Sequence, residues 1–182
     1  MSTRFDVARA PGVDIISATL SNRFRIIVTT PSMPTSSRAN DRFWERLSLT
    51  ELSAAQWESL CDGCGKCCVE KFEDEDTGAI HYTDVACTLL DRDHCRCSDY
   101  AHRAQRVHDC VTLTPEALAD PRWLPETCAY RRVAERRPLP DWHPLVCGDP
   151  EAVHRGGHSV RGRVRSPDGV DDPLLHLVDW IR

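Results

Sequence analysis

Apolar residues recur at helical spacing twice between residues 41 and 60. The run 41–47 (Asp-Arg-Phe-Trp-Glu-Arg-Leu) predicts a short helix opened by Asn40 or Asp41. Leu49, Leu52, Trp57 and Leu60 predict a second, capped by Ser48 or Thr50. After a glycine-rich break the period shortens. Residues 69–72 and 79–83 read as two short strands joined by the polar turn Glu73-Asp74-Glu75-Asp76-Thr77-Gly78. That turn is no calcium loop, because Gly78 does not sit where such a loop needs its glycine. Residues 86–90 form a third apolar run, and 100–107 read as helix. Thr114-Pro115-Glu116 is a helix start with Thr114 as cap. A further helix is expected over 127–137, ended by Pro138. Residues 139–144 read as a proline-interrupted loop, 158–164 alternate like a strand, and 174–180 predict a terminal helix.

The first 40 residues differ from the rest. Two β-prone runs, 13–16 and 24–28, precede a Ser/Thr/Pro-rich stretch at 29–37. Residues 1–40 are expected to be a variable, poorly ordered extension, with the domain spanning 41–182. No repeat is evident. The expected fold class is α+β, a small irregular loop-rich domain of short helices and short antiparallel strands.

Composition changes this picture at one residue type. There are 10 cysteines among 182 residues, and all lie between Cys61 and Cys147. Core cysteines do not segregate in this way. No apolar block of signal-peptide length opens the chain, and none is long enough to span a membrane, so a cytoplasmic location is expected. In a reducing compartment, clustered cysteines point to metal or redox chemistry before a disulfide framework. Such staples also suit a core this thin.

Net charge is −5, so the chain as a whole is no nucleic-acid magnet. The sign is uneven: 49–95 is acidic and 131–165 arginine-rich. Mutual attraction of the two regions is the expected use, because no aromatic–basic stripe accompanies the arginines. This argues against a nucleic-acid partner and leaves a protein partner open.

Cys61-Asp-Gly-Cys64-Gly-Lys-Cys67-Cys68 is a C-x2-C-x2-C-C cluster. Two cysteines at this spacing place both sulfurs on one side of a turn. Gly63 and Gly65 let that turn take positive φ and aim backbone N–H groups at the thiolates. The double spacing matches the first three ligands of a bacterial ferredoxin run, without its fourth. Cys67 and Cys68 are adjacent, and neighbouring side chains are expected to diverge, so one of them serves a second site or caps the cluster differently. Cys87, Cys95, Cys97, Cys110, Cys128 and Cys147 follow. Ten thiols exceed one four-ligand zinc site and suit either two sites or an iron–sulfur cluster with spare thiols. His81, His94, His102 and His108 read as surface or satisfied residues, and His143, in Trp142-His143-Pro144, as part of a rigid loop. Asp99, Tyr100 and Arg103 could surround the thiolates, with arginine offsetting their charge.

These residues carry a resemblance. C-D-G-C-G-K-C-C, V-A-C-T-L-L-D, C-R-C-S-D-Y, D-C-V, W-L-P-E-T-C-A-Y-R and W-H-P-L resemble the CxxCxxCC cysteine-cluster proteins of bacteria, in particular the YcgN-like subfamily, over roughly residues 43–164. The resemblance implies a zinc- or iron-chelating domain. A related cluster, attached to a flagellin lysine methylase, is thought to hold iron–sulfur. Position by position, the broad pattern covers Cys61, Cys64, Cys67, Cys68, Cys87, Cys97 and Cys110. Cys95 and Cys128 look like subfamily additions, and Cys147 falls where relatives carry a hydroxyl residue. The candidate ligands are therefore the seven of the broad pattern together with Cys128, and the expected cofactor is an iron–sulfur cluster or a zinc or iron ion.

Three functions follow for weighing: a metal-binding accessory or redox protein, an iron–sulfur-dependent enzyme subunit, and a zinc-stabilised module that binds a protein or nucleic acid. The chain has no nucleophile elbow, P-loop, dinucleotide fingerprint or radical-enzyme C-x3-C-x2-C. Catalysis therefore has no support beyond the cysteines, and the first reading is favoured.

Overall fold

The computed structural model describes residues 42–182. The readings for 1–40, and a cap at Asn40 or Asp41, lie outside the described residues. Helix α1 (Phe43–Arg46) begins after Arg42 and buries Phe43 and Trp44. The second expected helix is two elements. A 3-10 turn at Leu49–Glu51 is closed by Ser48, whose N–H and O–H both donate to Glu51 Oε2, at 2.8 and 2.6 Å. Helix α2 (Ala54–Ser59) has its own capping box: Ser53 Oγ accepts from Gln56 N–H, and Gln56 Oε1 accepts from Ser53 N–H. Ser53 is therefore the cap, not Ser48 or Thr50. Two capping boxes whose N-caps stand five residues apart break the helix between them.

The two expected strands form a hairpin of β1 (Val69–Glu73) and β2 (Ile80–Ala86), antiparallel, with Val69 opposite Ala86. Its turn is organised by Asp74 Oδ1, which accepts from the N–H groups of Asp76 and Thr77 and from the Thr77 hydroxyl. A second, two-residue hairpin pairs β3 (Leu90–Asp91) with β4 (Arg96–Cys97). Then come a 3-10 turn at Tyr100–His102, helix α3 (Arg103–Arg106), a 3-10 turn at Pro121–Trp123, and helix α4 (Ala129–Ala134) with Cys128 at its N-cap.

Four sequence readings change. Thr114 caps only a turn: its Oγ1 accepts from Ala117 N–H, but no helix follows. His143-Pro144 is a helix start rather than loop. His143 is the N-cap of α5 (Pro144–Cys147), its ring accepting from Leu145 N–H at 3.1 Å. Helix α6 (Ala152–Arg155) follows. Residues 158–164 are turns; their alternation reflects Ser159 and Val160 inserting into the interior, not a strand. The terminal segment is a 3-10 turn (Pro173–His176) leading into β5 (Leu177–Val178). It extends the first sheet to the order β1-β2-β5, because the open edge of β2 offers hydrogen bonds that a lone helix would have to find within itself.

Two apolar cores result. One gathers Phe43, Trp44, Leu60, Leu124, Tyr130 and Val133 between the helices. The other lies on the sheet around Val69, Tyr82, Ala86, Leu90, Cys95 and Val160. The architecture is the loop-rich α+β arrangement of short elements. Of the attraction expected between the acidic and arginine-rich regions, the described ion pairs include Arg165–Asp84, made through both Nε and Nη2, with His176 beside it. The arginines of the basic region otherwise pair close in sequence, as in Arg131–Glu135 and Arg161–Glu151. Among the described residues no helix is long and apolar enough to cross a membrane.

Candidate metal centre

Helix α2 ends at Leu60, which is fully buried, and its carbonyl accepts from His143 Nε2 at 3.0 Å. His143 is itself completely buried, with Nε2–H donating and Nδ1 accepting. Burial lowers its pKa, so the neutral ring is the form that fits. The cysteine run thus leaves from a residue anchored across 83 positions of sequence.

The next turns follow the expected glycine chemistry. Gly63 and Gly65 stand at φ +73° and +72°. Cys64 N–H donates to Asp62 Oδ1 at 3.0 Å. The N–H groups of Gly63 and Lys66 face the sulfurs of Cys61 and Cys64 and favour their thiolates. Gly65 has a second constraint: a Cβ there would lie 2.7 Å from Val160 Cγ2, whereas Gly63 faces open space. Gly63→Ala should therefore cost only the left-handed strain, about 1–2 kcal/mol. Gly65→Ala should cost that plus an overpacking penalty of about 1–3 kcal/mol. Denaturant titration of the two variants checks this, and equal losses would contradict the packing role of Gly65.

Cys67 and Cys68 do not diverge as a sequence reading expects. They end a 3-10 turn (Lys66–Cys68), in which successive side chains are about 120° apart rather than opposed, and their sulfurs are 3.8 Å apart. That separation matches the edge of a tetrahedron with metal–sulfur bonds of about 2.3 Å. Cys67 packs against the helical core, Cys68 and Cys87 against the sheet core.

Hairpin register supplies Cys87. With Val69 opposite Ala86, the flanking residues Cys68 and Cys87 meet, and Cys87 N–H donates to Cys68 O at 2.9 Å. The small hairpin supplies Cys97, paired opposite Leu90. Leu90 N–H in turn donates to Cys87 O. Cys110 lies within electrostatic reach of Cys87, Cys97 and Cys67. Cys128 lies within reach of Cys67, at the start of α4, where the N–H groups of Arg131 and Tyr130 point toward its sulfur. Each of the eight candidate thiols thus interacts with at least one other.

Two cysteines stand outside. Cys95, at φ +53°, turns into the sheet core against Gly65 and toward Arg161 and Ser159. Cys147 is exposed, and its S–H donates to the carbonyls of Trp142 and Asp149. His94, His102 and His108 are exposed and paired with Asp91, Asp99 and Asp109. Tyr100 and Arg103 do border the thiols. The Arg103 guanidinium lies 3.9 Å over the Tyr100 ring, and its charge favours the Cys110 thiolate.

The electrostatics follow from burial. All ten cysteines are free. Cys61 reaches the surface at its rim, yet its thiol is surrounded closely enough that desolvation, then the Cys67 charge, pushes it up to about 12. Burial likewise pushes Cys128 up to about 12 and Cys64 well above the usual thiol range. Within the adjacent pair, the Cys68 S–H hydrogen bond holds Cys67 below its ordinary value, helped by the Lys71 ammonium, and Cys68 is raised in return. Buried, unpaired thiols that resist ionisation are sites where a cation displaces protons. The donor set is all sulfur, which suits zinc, iron and iron–sulfur clusters. As the side chains stand, no group of three or more described Cys, His, Asp or Glu residues converges on one ion-sized point.

The sequence reading passed over Lys66 and Lys71, which bracket Cys67 and Cys68. Their rarity was the available signal, for the chain has no other lysine.

Residues 60–129 match the family model CxxCxxCC, described as "Putative zinc- or iron-chelating domain". The chain is 58% identical over 137 residues to a UPF0260 protein of Rhizorhabdus wittichii, covering 75% of this chain and 94% of that one. It is 55% identical over 141 residues to one of Rhodopseudomonas palustris, covering 76% and 83%. Another, from Azotobacter vinelandii, is 55% identical over 138 residues, covering 75% and 93%. No solved structure matches. With more than nine-tenths of a relative covered at this identity, the chain belongs to the UPF0260 family.

Proposed function

We propose that this chain is a cytoplasmic metal-binding protein that holds an iron–sulfur cluster, or a zinc or iron ion, through thiolates drawn from Cys61, Cys64, Cys67, Cys68, Cys87, Cys97, Cys110 and Cys128. One observation supports the reading: separate segments bring the free thiols Cys67 and Cys128 against the helical core and Cys68 and Cys87 against the sheet core, with the Cys67 and Cys68 sulfurs 3.8 Å apart. A bound iron–sulfur cluster would supply electron transfer, and zinc would supply structural closure. The residues of the chain orient the sulfurs, donate N–H groups to them and shield them from water.

Anaerobic purification separates the metals. A brown protein with visible charge-transfer absorbance and iron in elemental analysis supports the cluster; a colourless protein with stoichiometric zinc supports the ion. A protein free of both metals after purification and metal supplementation would refute the proposal. Because burial raises Cys61, Cys64 and Cys128, binding must displace their protons, so affinity should fall as pH falls. Metal release in a chelator competition should therefore grow steeply from pH 8 toward pH 6. A pH-independent competition would exclude thiolate ligation.

A further inference from the structure

Of 23 basic residues only two are lysines, Lys66 and Lys71, and they flank Cys67-Cys68; the remaining 21 (23 less 2) are arginines. Several of those arginines pair with carboxylates, as in Arg122–Asp120, Arg131–Glu135 and Arg165–Asp84. The lysines do otherwise. Lys66 is 6% exposed, and its Nζ donates to the Thr127 hydroxyl at 3.3 Å. Lys71 Nζ donates to the carbonyls of Cys67 and Val69, at 3.2 and 3.4 Å. Among the described residues neither has a carboxylate partner.

An ammonium has three donors, and a buried one held by a single neutral oxygen is an uncompensated charge. Lysine is almost never buried without an anion. Both anchors adjoin the thiols: Thr127 precedes Cys128, and Lys71 is held by the backbone of Cys67 itself. The burial argument applies to Lys66, which lies beside the residue preceding Cys128, while half-buried Lys71 is fixed on the Cys67 carbonyl; a metal–thiolate centre at these cysteines would supply the anion next to both.

The geometry points to Lys66 and Lys71 as the counter-charges of an anionic metal–thiolate centre. The inference rests on the metal-binding reading and narrows it. Four thiolates around a divalent ion leave two negative charges in excess, which two ammoniums balance; a three-thiolate or mixed-ligand site leaves fewer. The lysines are positioning residues that act through the thiolates, and the Arg103 charge acts in the same sense on Cys110.

The test uses the full chain and Zn2+ alone, competed against a chromophoric chelator, with Co2+ absorbance reporting thiolate number. Lys71→Met should weaken Zn2+ binding about 10–100-fold at unchanged stoichiometry, the loss usual for residues that support ligands. Lys71→Arg should restore most of it. Lys66→Met should also weaken Zn2+ binding. The metal-free Lys66→Met chain should melt no lower than wild type, because an uncompensated buried charge has been removed. A purely structural lysine would move both quantities downward together. Wild-type affinity in folded Lys71→Met would overturn the proposal and leave the metal reading standing. Should Lys66→Met fail to fold, the Lys71 pair decides. A wild-type chain that takes up neither Zn2+ nor Co2+ would remove the metal reading, and this inference with it.

Discussion

Cys61→Ser and Cys64→Ser are expected to lose most of the bound metal, whereas Cys147→Ser keeps it. Cys61 and Cys64 lie on one turn, each faced by a backbone N–H, and both interact with Cys67. A serine hydroxyl at either place remains protonated near neutral pH and is a poor partner for zinc or iron. One lost ligand also leaves the remaining buried thiolates repelling one another without enough cation to offset them. Cys147 is exposed and spends its S–H on two local carbonyls, away from the cluster. Metal content per chain, measured on the three purified variants beside wild type, checks the assignment; equal content in all of them would remove it. Cys95→Ser makes a useful companion. Its side chain faces the sheet core, so it should lower stability through a buried hydroxyl while leaving metal content near wild type.

Removing the metal should lower the melting temperature by more than about 10 °C, since a structural site adds several kcal/mol and each kcal/mol moves a domain of this size by roughly 2–8 °C. The reason lies in where the sulfurs sit. Cys67 and Cys128 border the helical core, and Cys68 and Cys87 border the sheet core. Among the described residues the helices are at most six residues long and the strands at most seven, too short to be stable as isolated elements. A metal centre between the cores would join them. Calorimetry before and after chelation, with removal confirmed by elemental analysis, tests this. An unchanged melt would assign stability to apolar packing alone.

Features set by near neighbours were legible in the sequence. The β1–β2 hairpin was readable because an acidic turn ending in glycine separates two β-prone runs, and that turn is closed by Asp74 within four residues. The positive φ of Gly63 and Gly65 was readable from the C-x2-C spacing. The candidate thiols were readable from segregation and resemblance.

Other features depended on partners distant in the chain. A terminal helix was the local preference of 174–180, but pairing of Leu177 and Val178 with β2 overrode it. Residues 158–164 alternate in polarity because Val160 fills the space beside Gly65 and its N–H reaches Cys64 O, a contact that mimics strand periodicity without a strand. The sequence marks His143 as part of a rigid loop, but only the fold shows its ring holding Leu60 O, just ahead of Cys61.

By itself, the sequence determined that this chain concentrates thiols in one region, which glycines turn the first of them, and that a short hairpin follows. Those properties depend on residue type and on φ preferences acting over a few positions. Only the tertiary structure decided that Cys68 meets Cys87, that Cys128 at the start of α4 packs against the same core as Cys67, and that Lys66 is buried beside Thr127. Each of these is a contact across about 20 to 60 residues, selected by hairpin register and by burial of two separate cores, and neither is encoded in the spacing of the cysteines.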